Sequence, residues 1–138
     1  MSGRLGDTLE GTGADGCPVA VRVLWLLDPA DEFFVAEGIG VPSAQRVVIV
    51  ALELANLGTA DYSAPPDVGL ALVDAAGSRY HRATATLTAY PRFRHEPLRP
   101  GQGVGGHSYF VLPRTKTVLQ VEWSTTGDTD EEVLTWLL

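Results

Sequence analysis

The densest concentration of chemically capable side chains lies between Arg79 and Arg99. Five of the chain's ten Lys and Arg residues fall there (Arg79, Arg82, Arg92, Arg94 and Arg99), opposed only by Glu96. A guanidinium is a planar fork of donors that matches a carboxylate or a phosphate. Arg92, Arg94 and Arg99 are therefore candidate binding residues for an anionic ligand or an acidic partner surface. The alternative is that these charges neutralise acids elsewhere, Asp28, Asp31, Glu32 and Glu37 among them. Tyr90 and Phe93 interleave with the arginines, a pattern that would also suit single-stranded nucleic acid. The formal net charge of −7 argues against that reading, because nucleic-acid binders are normally basic. A second candidate is Phe33-Phe34-Val35, set in an acidic stretch. Exposed, it would mark a partner site; folded inward, Phe33 and Phe34 would staple their loop to the domain.

Other constellations carry less. His107-Ser108 pairs a base with a nucleophile in sequence, but neighbouring residues of a strand point to opposite faces and cannot meet. His81, His95 and His107 are the only histidines, and none stands at metal-ligand spacing from another His or Cys. Gly101-Gln-Gly103-Val-Gly105-Gly106 matches the letters of a dinucleotide fingerprint, which requires a strand before it and a helix after it. Here a proline-rich loop precedes it and a strand follows, so a turn is expected. Asp128-Thr-Asp130-Glu131-Glu132 has oxygens suited to calcium but lacks the central glycine and the loop spacing. It reads as a solvated acidic turn, as do Asp61 and Asp67 beside Pro65-Pro66. No catalytic residue, metal site or cofactor is expected, and the chain reads as a non-enzyme.

The elements that must position these residues are strands. In Arg46–Gly58, Val48, Val50, Leu52 and Leu54 alternate with Val47, Ile49, Ala51, Glu53 and Ala55, the period of two that a strand imposes. One face is uniformly large and apolar, and the run ends in the turn-type sequence Asn-Leu-Gly. This is the expected central strand. Val19 to Leu26 alternates before it, with Val19, Val21, Val23 and Trp25 sharing a face, and Arg4 to Glu10 suggests a short edge strand followed by a loose turn through Gly16. Leu27 to Ala44 is too long for a structureless connection and should hold a short strand or a helical turn. Val68, Leu70 and Leu72 mark a strand that turns at Asp74-Ala75-Ala76-Gly77 into a hairpin partner, Arg79 to Leu87, with Tyr80 facing inward. Thr88 to Pro100 reads as loop. Gly106 to Leu112 alternates again, Leu119, Val121 and Trp123 define a further strand, and Val133 to Leu138 closes the sheet. Strands and turns at this spacing predict an all-β antiparallel sandwich of about 7–9 strands.

The ordered set of motifs resembles a known group. An opening Leu5-Gly-Asp-Thr-Leu9 precedes an alternating Val-Ala-Val-Arg-Val strand, and VVIVALELAN ends in Asn56. Leu70-Ala-Leu-Val-Asp-Ala-Ala-Gly77 follows with Tyr80 behind it, then Leu98-Arg-Pro-Gly101 and Gly106-His-Ser-Tyr-Phe-Val-Leu-Pro113. The set is similar to the immunoglobulin-like domains of unknown function of Gram-positive bacteria, a group that includes secreted immunogenic proteins of mycobacterial type and lipoproteins. The resemblance implies an immunoglobulin-like sandwich, no established enzyme activity and an address outside the cell; it supplies no catalytic residues.

At 138 residues the chain fits one domain (1–138, with 1–4 loose) and can bury about two-thirds of its unfolded surface. The single cysteine, Cys17, forms no internal disulfide and leaves the compartment open. No apolar run reaches the roughly 20 residues of a membrane span. No signal peptide or lipobox is visible, so the cytoplasm is the expected address, against the habit of the family. A protein partner is expected first and a small anion second, with a homodimer left open.

Overall fold

Alternating apolar residues extend the chain into strands wherever the sequence repeats with a period of two, and Gly, Pro and Asp punctuate it between them. The computed structural model describes residues 1–94, 96–125 and 132–138. Its strands are β1 (Ser2–Arg4), β2 (Thr8–Thr12), β3 (Pro18–Leu27), β4 (Gln45–Asn56), β5 (Leu70–Asp74), β6 (Arg79–His81), β7 (Gly103–Pro113), β8 (Val118–Trp123) and β9 (Leu134–Leu137). One short helix, α1 (Asp31–Ala36), lies in the β3–β4 connection, where the sequence calls for a strand or a helical turn. The strands form two sheets, β1-β9-β8-β5-β6 and β2-β3-β4-β7. Neighbours are antiparallel except β1 and β9, which run parallel. The fold is a β-sandwich.

β4 is buried on both faces, which explains why its apolar run is nearly continuous. Val48, Val50, Leu52 and Leu54 pack between the sheets with Leu70, Leu72, Phe110, Val121, Trp123 and Trp136. Val47 and Ile49 face outward into a second, smaller core with Ala30, Phe34, Leu87 and Tyr109. α1 and the segment after β6 cover that half of the outer face. The other half, around Glu53, is open.

Several elements depart from strict alternation. In β3, Val23 faces Leu52 but Trp25 faces Ala51, so Leu24 is an inserted residue. Beyond it the faces exchange: Val19, Val21, Val23 and then Leu26 pack on the inner core, while Trp25 and Leu27 join the outer one. Trp25 therefore does not continue the Val19–Val23 face. A second slip lies between β5 and β8, where Val73 faces Gln120 and Asp74 faces Val118. Val118 takes the core position and Leu119 is 49% exposed, not inward with Val121 and Trp123. The Arg4–Glu10 segment is not one edge strand. It changes sheet at Leu5-Gly6-Asp7, with Gly6 at φ +92°, so β1 and β2 belong to different sheets. Ser2–Arg4, read from sequence as a loose end, pair with Thr135–Leu137. β6 ends at His81, well short of Leu87.

The described residues between Arg82 and Gln102 have no regular structure beyond the bridge between Tyr62 and Leu98, yet they are anchored at several points. Ala83 N–H donates to Tyr109 O (2.6 Å) and His107 N–H to Pro91 O (3.1 Å), so this segment covers the middle of the β7 edge. Leu87 enters the outer core and Phe93 the inner one. A Cβ on Gly106 would lie 2.8 Å from the Phe93 ring, so that ring needs a glycine beneath it.

Candidate functional site

Pro65-Pro66 prevents the chain before β5 from pairing as a strand and instead carries Asp67 over the rim of the sandwich. Trp123 holds it there by donating from Nε1 to Pro66 O (2.8 Å). Asp67 is 2% exposed: Oδ2 accepts from Ser108 Oγ at 2.6 Å, and Oδ1 is hydrogen-bonded to Arg82. A buried carboxylate persists only where a cation and donors compensate it, and here a guanidinium and a hydroxyl do so. The arrangement holds two loops together. Above it, between residues 63–67 and 82–98, opens a cleft of about 540 Å³ bordered by Arg82, Arg92, Phe93, Arg94 and Glu96. That volume lies within the range of about 300–1,000 Å³ usual for small-ligand pockets.

The cationic stretch divides into two roles. Arg79 pairs with Glu122 and Arg82 with Asp67. Arg92 and Arg94 both border the cleft, and neither side chain has a hydrogen bond or ion pair among the described residues. Arg99 is exposed and does not line the cleft; its backbone N–H donates to Gln102 Oε1 (2.9 Å). The structure thus brings Arg92 and Arg94 together and leaves Arg99 out. The neutralising acids are also not the ones the sequence suggests. Asp28 takes both Nε (2.7 Å) and Nη2 (3.2 Å) of Arg46, Asp31 binds Arg114, and Glu37 accepts from the backbone of Thr88 (2.6 Å) and Ala89 (3.3 Å). The Thr88 bond is the main reason the Glu37 carboxyl titrates below its ordinary range.

Phe33 and Phe34 point inward. Phe34 is 3% exposed, edge-on to Tyr109 at 5.7 Å, and Phe33 is half-buried against Tyr90 at 4.9 Å. An α-helix carries side chains around its axis, so only Val35 of the three faces solvent, 65% exposed. The pair staples α1 to the outer core and forms no exposed patch. Burial raises the pKa of the Tyr109 hydroxyl, which sits under the same lid and donates to Tyr90 O.

His107 and Ser108 lie on opposite faces of β7. Ser108 is turned to Asp67, while the His107 ring packs among Trp25 (5.5 Å) and Tyr90 (5.3 Å) with Nδ1 2.9 Å from Pro91 O. Gly101 has φ +83° in a turn, and the glycines after it run into β7, so no helix N-terminus is present to hold a pyrophosphate. His81 is exposed on β6. His95 and residues 126–131, with most of the acidic run from Asp128, lie outside the described residues. No group of three or more His, Cys, Asp or Glu among the described residues could hold a metal ion. Among the described residues no helix is long and apolar enough to cross a membrane. Cys17 is a free thiol that donates to Asn56 Oδ1 at 3.2 Å.

Two residues that matter escape the sequence reading. Asp67 reads as a solvated turn acid but is buried, and its partner Ser108 lies 41 residues away. Asn56 is fully buried: Nδ2 donates to Ala60 O (2.8 Å) and Leu98 O (2.9 Å), and Oδ1 accepts from Gly58 N–H (2.8 Å). It ties the floor of the loop region to the end of β4. The apolar run before it signals burial; nothing local signals its partners.

No known family's sequence profile matches the chain, and no curated protein matches it by sequence. Solved structures do. A secreted protein of Mycobacterium tuberculosis, MPT63, superposes with a TM-score of 0.73 at 16% identity, over 100% of this chain and 97% of that one. The yjhA protein of Bacillus subtilis gives 0.66 at 16% identity, over 99% and 98%. A putative lipoprotein of Bacillus subtilis, ycdA, gives 0.62 at 12% identity over 96% of this chain and 38% of its own. An uncharacterised β-sandwich protein of Clostridium difficile gives 0.58 at 9%. At these identities the likeness is one of fold, and this chain shares the β-sandwich of secreted and lipoprotein-type bacterial proteins.

Proposed function

We propose that the chain is a non-enzymatic binding module of the immunoglobulin-like kind and that it holds a protein partner through an acidic surface of that partner. The observation that carries this reading is the contrast within one stretch of sequence. Arg79 and Arg82 are neutralised by Glu122 and Asp67, whereas Arg92 and Arg94 stand at the rim of a cleft with no acid paired to either among the described residues. Cations left unpaired beside a concave surface, in a chain of net charge −7, are a local inversion of the molecule's field. Both oxygens of Asp67 are already engaged, which leaves that carboxylate poorly placed to act as a base. A small anion is the second reading, favoured by the cleft's volume of about 540 Å³.

The test is capture of partners from the source cells on the immobilised chain, followed by mass spectrometry, beside an Arg92→Glu/Arg94→Glu double variant. The captured partner should be lost in the variant while the thermal midpoint hardly moves, since exposed charges contribute about 0–1 kcal/mol per pair. Unchanged capture by the variant would remove the cleft from consideration. Saturable thermal stabilisation by phosphate or citrate, absent in the variant, would favour the small-anion reading.

A further inference from the structure

We infer that an acidic, extended segment of the partner adds to β7 as a further strand along its free edge at Gly103–Gly105. This deepens the preceding reading and rests on it for the role of Arg94. β7 is the edge of the four-stranded sheet. In an antiparallel pair, alternate residues turn their backbone groups toward the partner and away from it. Along β7 the outward set is the odd-numbered one, because Tyr109 O accepts from Ala83 and His107 N–H donates to Pro91 O, while Gln102 O accepts from Asn56 of β4. Gly103 and Gly105 belong to that outward row. Both are exposed, and neither has a hydrogen bond on that side among the described residues. Unpaired N–H and C=O groups on a strand edge are a template for another chain.

The glycines sharpen the point. Gly106 is required by the Phe93 ring, but a Cβ on Gly103 would meet nothing nearer than 3.5 Å, and one on Gly105 nothing nearer than 3.7 Å. Neither residue has a positive φ. The fold therefore does not need glycine at these two positions, and glycine weakens a strand. Close approach of another backbone is a reason for a strand glycine that fits both positions.

Charge selects the occupant. A smaller cleft of about 270 Å³ opens against the same edge, lined by Arg94, Glu96, Gln102, Gly103 and Val104. Arg94 borders both clefts, so a segment paired with Gly103–Gly105 presents a carboxylate to Arg94 and then to Arg92. A second copy is the poorer fit, since two such edges together would set like arginines against each other. The added strand is short, because Ala83 and Pro91 already cover the edge from His107 to Tyr109.

The experiment uses the full chain, isotopically labelled for amide exchange, and peptides selected on it from a random display library. In the free protein the Gly103 and Gly105 amides should exchange fast while Val104 and Gly106 are protected; protection of Gly103 and Gly105 without peptide would overturn the inference. Selected peptides should be acidic with alternating β-branched residues, and their binding should slow exchange at Gly103 and Gly105. Gly105→Pro, which removes an N–H the fold does not use, should weaken binding by about tenfold or more. If that variant does not fold, N-methylation of alternate peptide residues on the wild-type chain gives the same reading. Peptides lost on Arg92→Glu/Arg94→Glu but indifferent to Gly105→Pro and to N-methylation would overturn strand addition and leave the arginine cleft standing. Peptides lost on Gly105→Pro but indifferent to the charge reversal would overturn the acidic occupant together with the reading it rests on. Failure to select any peptide, or concentration-dependent pairing of the chain with itself through Gly103–Gly105, would overturn the inference.

Discussion

Asn56 concentrates more hydrogen bonding into one buried side chain than any apolar neighbour can replace. Its amide serves Ala60 O, Leu98 O, Gly58 N–H and the Cys17 thiol, and so joins three loops at one end of the sandwich. An unsatisfied buried group costs about 1–3 kcal/mol, and Asn56→Ala removes four hydrogen bonds at once from a fully buried position. Urea denaturation should show a loss of about 3 kcal/mol or more; a loss near 0.5 kcal/mol, the level of a surface change, would mean that water takes over the amide's work. Asp74 is the second such residue. Tyr80 Oη donates to it at 2.7 Å, and the N–H groups of Ala76 and Ser78 donate at 2.9 Å each. The Tyr80 bond, ahead of the backbone donors, holds the Asp74 carboxyl below its ordinary value. A depressed carboxylate pKa contributes stability that is present above the unfolded value, about 3.9, and is lost as pH falls through the folded value. Tyr80→Phe should therefore raise the Asp74 pKa toward normal, as followed by NMR titration of its carboxyl, and move the acid unfolding limb to higher pH. An unmoved Asp74 pKa would show that the turn amides alone set it.

At the scale of elements, β4 is the strand on which both cores are built. Leu52 is fully buried between the sheets, so Leu52→Ala should cost about 2–5 kcal/mol. A loss within about 0.5 kcal/mol would place it off the core. The inward set of β4 is legible in the sequence because no irregularity interrupts the period of two between Gln45 and Asn56. The same pattern misleads where a residue is inserted: Trp25 changes face after Leu24, and Val118 displaces Leu119 beside the slip at Asp74. A bulge depends on how two strands meet, and alternation within one strand carries no record of it. The division of the first ten residues between two sheets is equally a tertiary choice, marked locally only by Gly6. The site was half legible for a related reason. Arg92 and Arg94 stand close together in sequence and share a cleft. The sorting of Arg79 and Arg82 into ion pairs, and the burial of Asp67 against Ser108, depend on contacts 15 to 43 residues apart.

At the scale of the whole molecule, two electrostatic effects of opposite sign act on an acidic partner. The chain's net charge of −7 repels it, and Arg92 and Arg94 attract it. Range decides between them. A guanidinium and a carboxylate about 4 Å apart near a protein surface attract by about 4 kcal/mol before desolvation. Asp67 and Glu96 border the cleft itself, Asp67 already paired with Arg82, whereas charges farther apart than the Debye length, about 10 Å at 0.1 M salt, are largely screened under ordinary conditions. Raising salt toward 1 M shortens that length to about 3 Å and reaches the contact pairs themselves. Partner binding should therefore weaken steadily from 0.1 M to 1 M salt, with a slope that flattens in Arg92→Glu/Arg94→Glu. Below 0.1 M the long-range repulsion re-emerges, so the gain on further dilution should be smaller than the local pairs alone would give. Affinity that rises with salt across the whole range would mean that the net charge governs the encounter and that the arginine rim does not hold the partner.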